Sequence, residues 1–325
     1  MPEIITCDCV PKPRVFSYGD SSPVEVADAR TSIAYREYYQ DSNVDVLDLP
    51  YCTQIGAEAF RESSLQEIYI PVCQEIKDNT FKGCSSFRGG DFSSVKKINN
   101  GAFSFQLNAP SNTNITLEFP SIETINADGF RSIRIEPNAG DIRIDITNVK
   151  EIGSYAFWEG GADLVPYPYY TGDQKVLYLP KCEVIGDHAF ANYYSNYAHR
   201  YRKVILPALK KIKEQAFRWV HFDGTSANPG SFVIGPNCTE IEGGVFWDTG
   251  TINNIDLYVY ATTPPRLTGK LDSAPGTSNV PLHIYVPAES IDAYKAATYW
   301  NTDFYLSHYA PMPSDHLTID TWLIN

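Results

Sequence analysis

The chain of 325 residues is 43% hydrophobic and 20% charged, and its formal net charge is −13 at pH 7. This composition is typical of a folded soluble protein and excludes a wholly disordered chain. The acidic balance argues against nucleic acid and anionic membranes as partners, because both are bound by clustered Lys and Arg. No apolar run is long enough to span a bilayer. The N-terminal sequence lacks the apolar core of a signal peptide, which predicts either a cytosolic protein or a mature exported chain.

Taken in chain order, the dominant feature is a repeat that shows when the sequence is aligned on eight phenylalanines. These repeat phenylalanines are Phe60, Phe81, Phe103, Phe130, Phe157, Phe190, Phe217 and Phe246. An isoleucine stands five residues before each of them, and apolar residues recur eight, eleven and thirteen residues before. Of the 40 positions in this pattern 38 are apolar, the exceptions being Gly90 and Gly235, whereas random placement would fill fewer than half.

The spacing predicts the structure of one repeat. Apolar residues eleven and thirteen before Phe alternate with polar ones, which indicates a short strand with one buried face. Gly or Asn after the isoleucine predicts a tight turn with positive φ, and a small residue before Phe predicts a short helical turn packed closely on its neighbour. One such unit cannot bury its own apolar edge, so the units are expected to stack into a solenoid.

Four cysteines fall within the pattern, and their position assigns them to the core. Cys52, Cys73, Cys182 and Cys238 stand eight before Phe, where the other copies have Val, Ile or Leu. We therefore expect them to be small buried hydrophobic residues rather than nucleophiles, metal ligands or disulfide partners. Cys7 and Cys9 lie outside the pattern and are expected to belong to an exposed tail, with lipid attachment as the alternative.

Stretches such as residues 47–60, LDLPYCTQIGAEAF, resemble the BspA-like class of bacterial leucine-rich repeats. The resemblance spans about residues 46–260 and extends to residues 284–297, which are similar to the C-terminal strand and helix of that family. It implies a strand-rich α/β leucine-rich-repeat solenoid: a curved right-handed coil with a parallel sheet on one face and short helical turns on the other. The expected domains are an N-terminal cap or tail (1–45), eight repeats (46–256) and a C-terminal cap with a strand and short helix (257–325).

Little in the sequence points to chemistry. The six histidines are scattered without a metal-binding pair. Asp41 to Asp45 open like a calcium loop, but Val46 and Cys52 stand where such a loop needs Gly and Glu. We therefore predict no catalytic residue, no metal and no cofactor. The only feature that would suit acid–base catalysis is a column of carboxylates, Asp91, Glu118 and Asp145. Acidic residues at adjacent positions also arise simply because a sheet face is exposed to solvent.

Two surfaces could bind a partner. Residues twelve before each Phe should project from the strand face opposite the core, and they run from mixed to acidic to apolar: Asp48, Tyr69, Asp91, Glu118, Asp145, Tyr178, Ile205 and Ile234. The insertions after the repeat phenylalanines should leave one edge of the solenoid, and those of copies five to seven are rich in aromatic residues, as at Trp158, Tyr167, Tyr169, Tyr170, Tyr193, Tyr194, Tyr197 and Trp219. These rings suit a binding surface, and packing of the loops on one another is an equal alternative.

The resemblance implies an exported protein, because members of this family are usually surface proteins and several take part in adhesion. The leading hypothesis is a non-catalytic bacterial surface protein that binds a protein or glycan on a host or neighbouring cell. A hydrolytic enzyme using the acidic column is the first alternative, and a purely structural surface-layer protein is the second.

Overall fold

The protein is a solenoid of short parallel strands, as predicted from the repeat. The structure, a computed structural model, describes residues 29–107, 115–135, 142–159, 163–164, 176–192, 200–225, 227–247, 249, 254–272 and 281–323. Each coil contributes strands to parallel ladders that run along the solenoid axis. The cores of all coils merge into one continuous apolar cluster from Ile33 to Tyr305.

The first ladder consists of the strands that begin each repeat. Its twelve strands are Val46–Asp48, Glu67–Tyr69, Gly89–Asp91, Ile115–Glu118, Ile142–Asp145, Asp163–Leu164, Val176–Tyr178, Lys203–Leu206, Gly230–Ile234, Ile255–Val259, His283–Val286 and Tyr309–Pro311. Within the described residues they form three parallel sheets of three, three and six strands, where a single sheet was expected. Equivalent residues lie in register, as Ile68 does with Gly90 and Val204 with Phe232.

A second parallel ladder, which we call the isoleucine ladder, was not predicted. Its eight two-residue strands are Glu75–Ile76, Lys97–Ile98, Thr124–Ile125, Glu151–Ile152, Val184–Ile185, Lys211–Ile212, Glu240–Ile241 and Arg266–Leu267. Ser32–Ile33 and Gln54–Ile55 form a separate pair of the same kind. Two further pairs join Gln106–Leu107 to Arg134–Ile135 and Arg200–Tyr201 to His221–Phe222. Each isoleucine is thus held by its own backbone pairing as well as by the core.

The repeat phenylalanines form a column of stacked rings inside the solenoid. Neighbouring centroids from Phe60 to Phe217 are 5.0–5.5 Å apart, with interplanar angles of at most 25°. The last ring, Phe246, is tilted at 6.4 Å from Phe217 and meets Phe232 edge-on. All eight side chains are buried. The column explains why the position accepts only Phe in these copies, since a ring must contact a ring above and below it.

The segments predicted as short helical turns are successive tight turns. Around Phe60, the amides of Ala59, Arg61 and Ser63 donate to carbonyls three residues back, while those of Glu58 and Phe60 donate to the next coil. An α-helix would direct every amide to the fourth preceding carbonyl. Here alternate amides are used between coils, so the turns cannot become helices without breaking the contact that stacks them.

Positive φ occurs at the residue two before each repeat phenylalanine. The eight residues are Glu58, Asn79, Gly101, Asp128, Tyr155, His188, Gln215 and Gly244, with φ between 53° and 69°. The prediction of positive φ at the Gly or Asn after the isoleucine was wrong. Glycine is needed after the isoleucine because the backbone of the preceding coil passes close to it. A Cβ on Gly153 would lie 2.6 Å from the backbone N of Ala127, and one on Gly186 would lie 2.5 Å from the backbone N of Ser154.

The two exceptions in the apolar pattern have different causes. Gly90 is in register with Ile68, and a Cβ on it would lie 1.8 Å from the Ile68 carbonyl oxygen. Gly235 is an exception because the strand of copy eight is shifted by one residue. Phe232 and Ile234 pair with Val204 and Leu206 and enter the core in place of Val233 and Gly235. Val233 therefore projects from the strand face, and the placement of Ile234 on that face was wrong.

The described part of the N-terminal segment continues the repeat. Ile33 pairs with Ile55, Arg36 has positive φ, and the Tyr38 ring stacks on Phe60 with centroids 5.1 Å apart. Tyr38 follows Ile33 by five residues, so it occupies the phenylalanine position of an additional coil. We propose that the repeat region begins near residue 31 rather than at residue 46.

The C-terminal region extends the sheet and then covers the end of the core. The helices Ile291–Ala296 and Asp303–Leu306 and the 3₁₀ turn Ala288–Ser290 follow the strand His283–Val286. Tyr294 and Trp300 are fully buried; the Tyr294 hydroxyl donates to Ala261 O (2.7 Å) and Trp300 Nε1 to Pro265 O (2.7 Å). Both rings are therefore fixed against the last coil, which supports the proposal that this region is a cap.

Candidate functional site

The strand face carries the residues predicted to lie there and has two different halves. Tyr69, Asp91, Glu118, Asp145 and Tyr178 alternate with buried core residues in their strands and are partly or fully exposed. Glu118 lies directly beside Asp145 in the parallel pairing, and Tyr69 beside Asp91. The column from Tyr69 to Tyr178 is thus a surface of the folded protein, acidic in its middle.

The acidic half is engaged in holding turns. Asp145 Oδ1 accepts hydrogen bonds from the amide and hydroxyl of Thr147 (2.9 and 2.5 Å), and Asp91 Oδ1 accepts one from the Ser93 amide (3.0 Å). Asp commonly closes a turn in this way after a strand. The geometry gives these carboxylates a structural task, and an acid–base pair gains no support from it.

The apolar half is covered by the chain itself. Ile205, Val233, Tyr258 and Tyr285 are consecutive neighbours across the six-stranded sheet. They lie in a second hydrophobic cluster with Tyr260, Met312 and Trp322, against which Tyr178 also packs. We call residues 312–323 the C-terminal segment. Only the strand face before Tyr178 is left uncovered by it.

Hydrogen bonds and ring contacts fix the C-terminal segment in place. Trp322 Nε1 donates to the Tyr260 hydroxyl (2.9 Å), which donates in turn to His316 O (2.7 Å). The Trp322 ring meets Tyr258 edge-on at 4.7 Å and stacks on His316 at 4.1 Å. Burial raises the pKa of Tyr258 and lowers that of Lys203, whose ammonium lies 5.9 Å from the Trp322 ring centroid. No pattern in the sequence signalled this contact, since the partners are about 60 residues apart.

The opposite surface, which we call the turn edge, is formed by the residues from two before to two after each repeat phenylalanine. Trp158 and Trp219 both lie on it and are partly exposed. The guanidinium carbon of Arg131 lies 4.1 Å from the Trp158 ring centroid, and that of Arg218 lies 4.1 Å from the Trp219 ring centroid. Each indole ring thus has a guanidinium cation over one of its faces.

Further residues that the sequence did not single out join this edge. Tyr155 stacks on His188 with centroids 4.9 Å apart and meets Trp158 edge-on at 5.8 Å. His188 Nδ1 lies 2.7 Å from Asp187 Oδ1. Trp247 lies 5.5 Å from the Arg218 guanidinium carbon. These residues could have been predicted to lie together from their offsets, because Tyr155 and His188 stand two before a repeat phenylalanine and Trp247 stands one after.

The other loop aromatics predicted to bind lie outside the described residues. They are Tyr167, Tyr169, Tyr170, Tyr193, Tyr194 and Tyr197. Their assignment to a binding surface stays a prediction.

An open groove runs over the isoleucine ladder where glycine follows isoleucine in consecutive copies. Gly153 and Gly186 form its floor, and Glu151, Asp187 and Lys213 lie around it. Lys213 Nζ donates to Glu242 Oε1 (2.9 Å), so the cation at the rim is already paired. The groove is therefore a weaker candidate for binding than the turn edge.

The five cysteines among the described residues are buried. Cys52, Cys73, Cys84, Cys182 and Cys238 are at most 3% exposed and form no disulfide. Those in the repeat position donate to the carbonyl two residues on, as Cys73 Sγ does to Glu75 O (3.4 Å). Burial raises the pKa of Cys73 to about 11 and that of Cys182 to about 12. A thiol nucleophile needs a lowered pKa and access, and these have neither.

This burial predicts a clear result in thiol labelling. Iodoacetamide is expected to leave the five buried cysteines unmodified in the native protein and to modify all of them in denaturant, as read by peptide mass spectrometry. Cys7 and Cys9 are scored separately, because they lie outside the described residues. Rapid native labelling of Cys52 or Cys182 would show that these positions are not core.

Two searches of the described part of the chain gave negative results. No group of three or more His, Cys, Asp or Glu is arranged to hold a metal ion there. No helix in the same residues has the length and hydropathy needed to cross a membrane.

Comparison with known proteins agrees with the repeat geometry. Residues 29–161 match, in six copies, the family model described as BspA type leucine rich repeat region. That stretch contains six coils, those of Tyr38 and of the first five repeat phenylalanines. Among solved structures, a leucine-rich repeat protein from Bacteroides ovatus ATCC 8483 is similar at 17% sequence identity and a TM-score of 0.25, with 93% of this chain and 91% of that chain covered. A search of curated proteins gave no match.

Proposed function

We propose that this protein, whose residues 29–161 belong to the BspA-type leucine-rich repeats, is a non-catalytic binding protein of the bacterial cell surface. Its partner is a protein or a glycan on a host or neighbouring cell. Stacked coils give the long continuous surfaces with which solenoids hold partners.

The observation that carries the proposal is the turn edge of copies four to eight. Partly exposed indole and guanidinium groups lie there at Arg131, Trp158, Arg218, Trp219 and Trp247. Trp and Arg are enriched at binding hot spots because they offer large rigid contact area with polar groups at the margin. The uncovered strand face from Tyr69 to Asp145 is the second candidate surface, and the C-terminal segment leaves it open.

The test captures partners with the whole chain, by glycan array and by pull-down from cell-surface extracts, and then compares two alanine sets. The turn-edge set replaces Trp158 and Trp219 of the turn edge together with the loop residues Tyr169, Tyr193 and Tyr197. The strand-face set replaces Tyr69, Asp145 and Tyr178. Loss of binding is expected for the turn-edge set, with the strand-face set retaining affinity. Full affinity after loss of the turn-edge aromatics would leave those rings as packing and move the site to the strand face. Equal melting temperatures of the two sets and the wild type control for folding.

A further inference from the structure

A pairing between two side chains recurs along the turn edge. In three copies an arginine directly follows the repeat phenylalanine. Its guanidinium contacts the side chain of the residue two before that phenylalanine, which is the residue with positive φ. The pairs are Arg61 with Glu58 (3.3 Å), Arg131 with Asp128 (3.1 Å) and Arg218 with Gln215 (2.8 Å). The first two arginines are thus neutralised by a carboxylate of their own turn.

Copy seven lacks that carboxylate. Arg218 Nη1 donates to Oε1 of Gln215, an uncharged amide, and among the described residues Arg218 forms no ion pair. Its Nε is buried and has no hydrogen-bond partner there. A guanidinium is always charged and prefers planar acceptors with two oxygens. Among the described residues, the site therefore keeps the cation of the recurring pair and lacks its anion.

The guanidinium is also held in place. Its carbon lies 4.1 Å from the Trp219 ring centroid and 5.5 Å from the Trp247 ring centroid. Stacking restricts its orientation, and the rings displace water from its faces, so less entropy is lost when a ligand binds. Gln215 is itself fixed, because its Nε2 donates to Glu214 Oε1 (3.1 Å).

The neighbouring positions offer aromatic and hydrogen-bonding groups. The residues two before Phe in copies five to seven are Tyr155, His188 and Gln215, which lie in consecutive coils joined by backbone hydrogen bonds. Burial raises the pKa of the Tyr155 hydroxyl, and the charge of Arg218 acts in the opposite direction. A row of ring faces and polar groups beside the Arg218 cation suits a ligand that carries many hydroxyl groups and a carboxylate. The net charge of −13 gives no general attraction for polyanions, so recognition must be local.

We propose that Arg218, with Trp219, Trp247 and Gln215, forms a subsite for the carboxylate of a uronic-acid-containing glycan. The ligand carboxylate supplies the negative charge that Glu58 and Asp128 supply in the other two copies. The inference rests on the proposed binding function and names the chemistry recognised at its turn edge.

The test is calorimetric titration of the full chain with tetragalacturonate, its fully methyl-esterified form and capped tetraglutamate. Binding of tetragalacturonate alone is expected, since the ester lacks the charge and the peptide lacks the hydroxyls. Arg218→Gln should weaken binding roughly tenfold or more, as loss of a charge-assisted hydrogen bond does. Arg61→Gln is the matched control and should leave the affinity unchanged, because that arginine already has Glu58 as its partner and lies outside the proposed surface.

Two further variants test the missing anion directly. Gln215→Glu should restore the internal ion pair and abolish tetragalacturonate binding without lowering the melting temperature, which a folding defect would do. Asp128→Asn should free Arg131 beside Trp158 and create a second binding site, raising the stoichiometry from one to two. Equal binding by wild type and Arg218→Gln, binding of the peptide in preference to the uronate, or no uronate binding at all would overturn the inference. The proposed function is judged separately, by partner capture with the two alanine sets.

Discussion

Replacing Phe157 by alanine is expected to destabilise the protein by about 3–5 kcal/mol, the usual cost of removing a buried aromatic ring. The Phe157 ring lies between those of Phe130 and Phe190, at 5.2 and 5.5 Å, with interplanar angles of 5° and 2°. Its loss removes both stacking contacts and leaves a cavity that the flanking coils cannot close, because their backbones are fixed by both ladders. Chemical denaturation monitored by circular dichroism measures the loss.

The position of the ring in the column predicts how the damage spreads. Each coil contacts only its neighbours, so hydrogen exchange should rise first in the coils of Phe130 and Phe190 and least at the ends. Trp158→Ala is the matched control, since that ring is partly exposed one residue away and should cost much less. An unchanged denaturation midpoint for Phe157→Ala would show that the column does not hold the coils together.

Most of the repeat could be predicted because its determinants are local. Ile152 and Phe157 are five residues apart, and burial of both follows from their spacing within one coil. Stacking repeats that spacing, so each copy confirms the others. The same reasoning assigned Cys52 to the core from the Val, Ile and Leu at its position, and the structure confirms it.

The isoleucine ladder was missed because two-residue strands have no alternation to detect. The additional coil of Tyr38 was missed because tyrosine replaced the phenylalanine on which the alignment was anchored. The one-residue shift in copy eight was missed because Val233 and Ile234 are both apolar, and only pairing with Ile205 and Leu206 decides which of them enters the core.

The candidate site was predicted less well, for a physical reason. Trp158 and Trp219 could be assigned to one edge from their offsets. The arginines beside their rings could not be predicted, because the sequence does not show which group an arginine after Phe will contact. The cover over Tyr258 depends on a contact with Trp322, which is set by how the chain returns after the last strand. Such long-range contacts leave no periodic trace in a sequence.

Replacing Trp322 by alanine is expected to release the C-terminal segment from the strand face. The ring is 7% exposed, meets Tyr258 and His316, and donates a hydrogen bond to the Tyr260 hydroxyl. Losing a buried indole costs about 3–5 kcal/mol. Because the segment is the last element of the described chain and lies outside the main core, this loss should appear as local opening rather than as global unfolding.

Hydrogen exchange and dye binding measure the release. Amides of residues 312–323 should lose protection in Trp322→Ala, and an apolar dye should bind the uncovered surface of Ile205, Val233 and Tyr258, while the phenylalanine column keeps its protection. Leu317→Ala is the control, because that side chain is 64% exposed and holds nothing in place. The released surface also extends the open strand face past Tyr178, so a partner that uses this face should bind the variant more tightly than the wild type. Equal protection of residues 312–323 in both proteins would mean that the backbone, and not the Trp322 ring, holds the segment on the sheet.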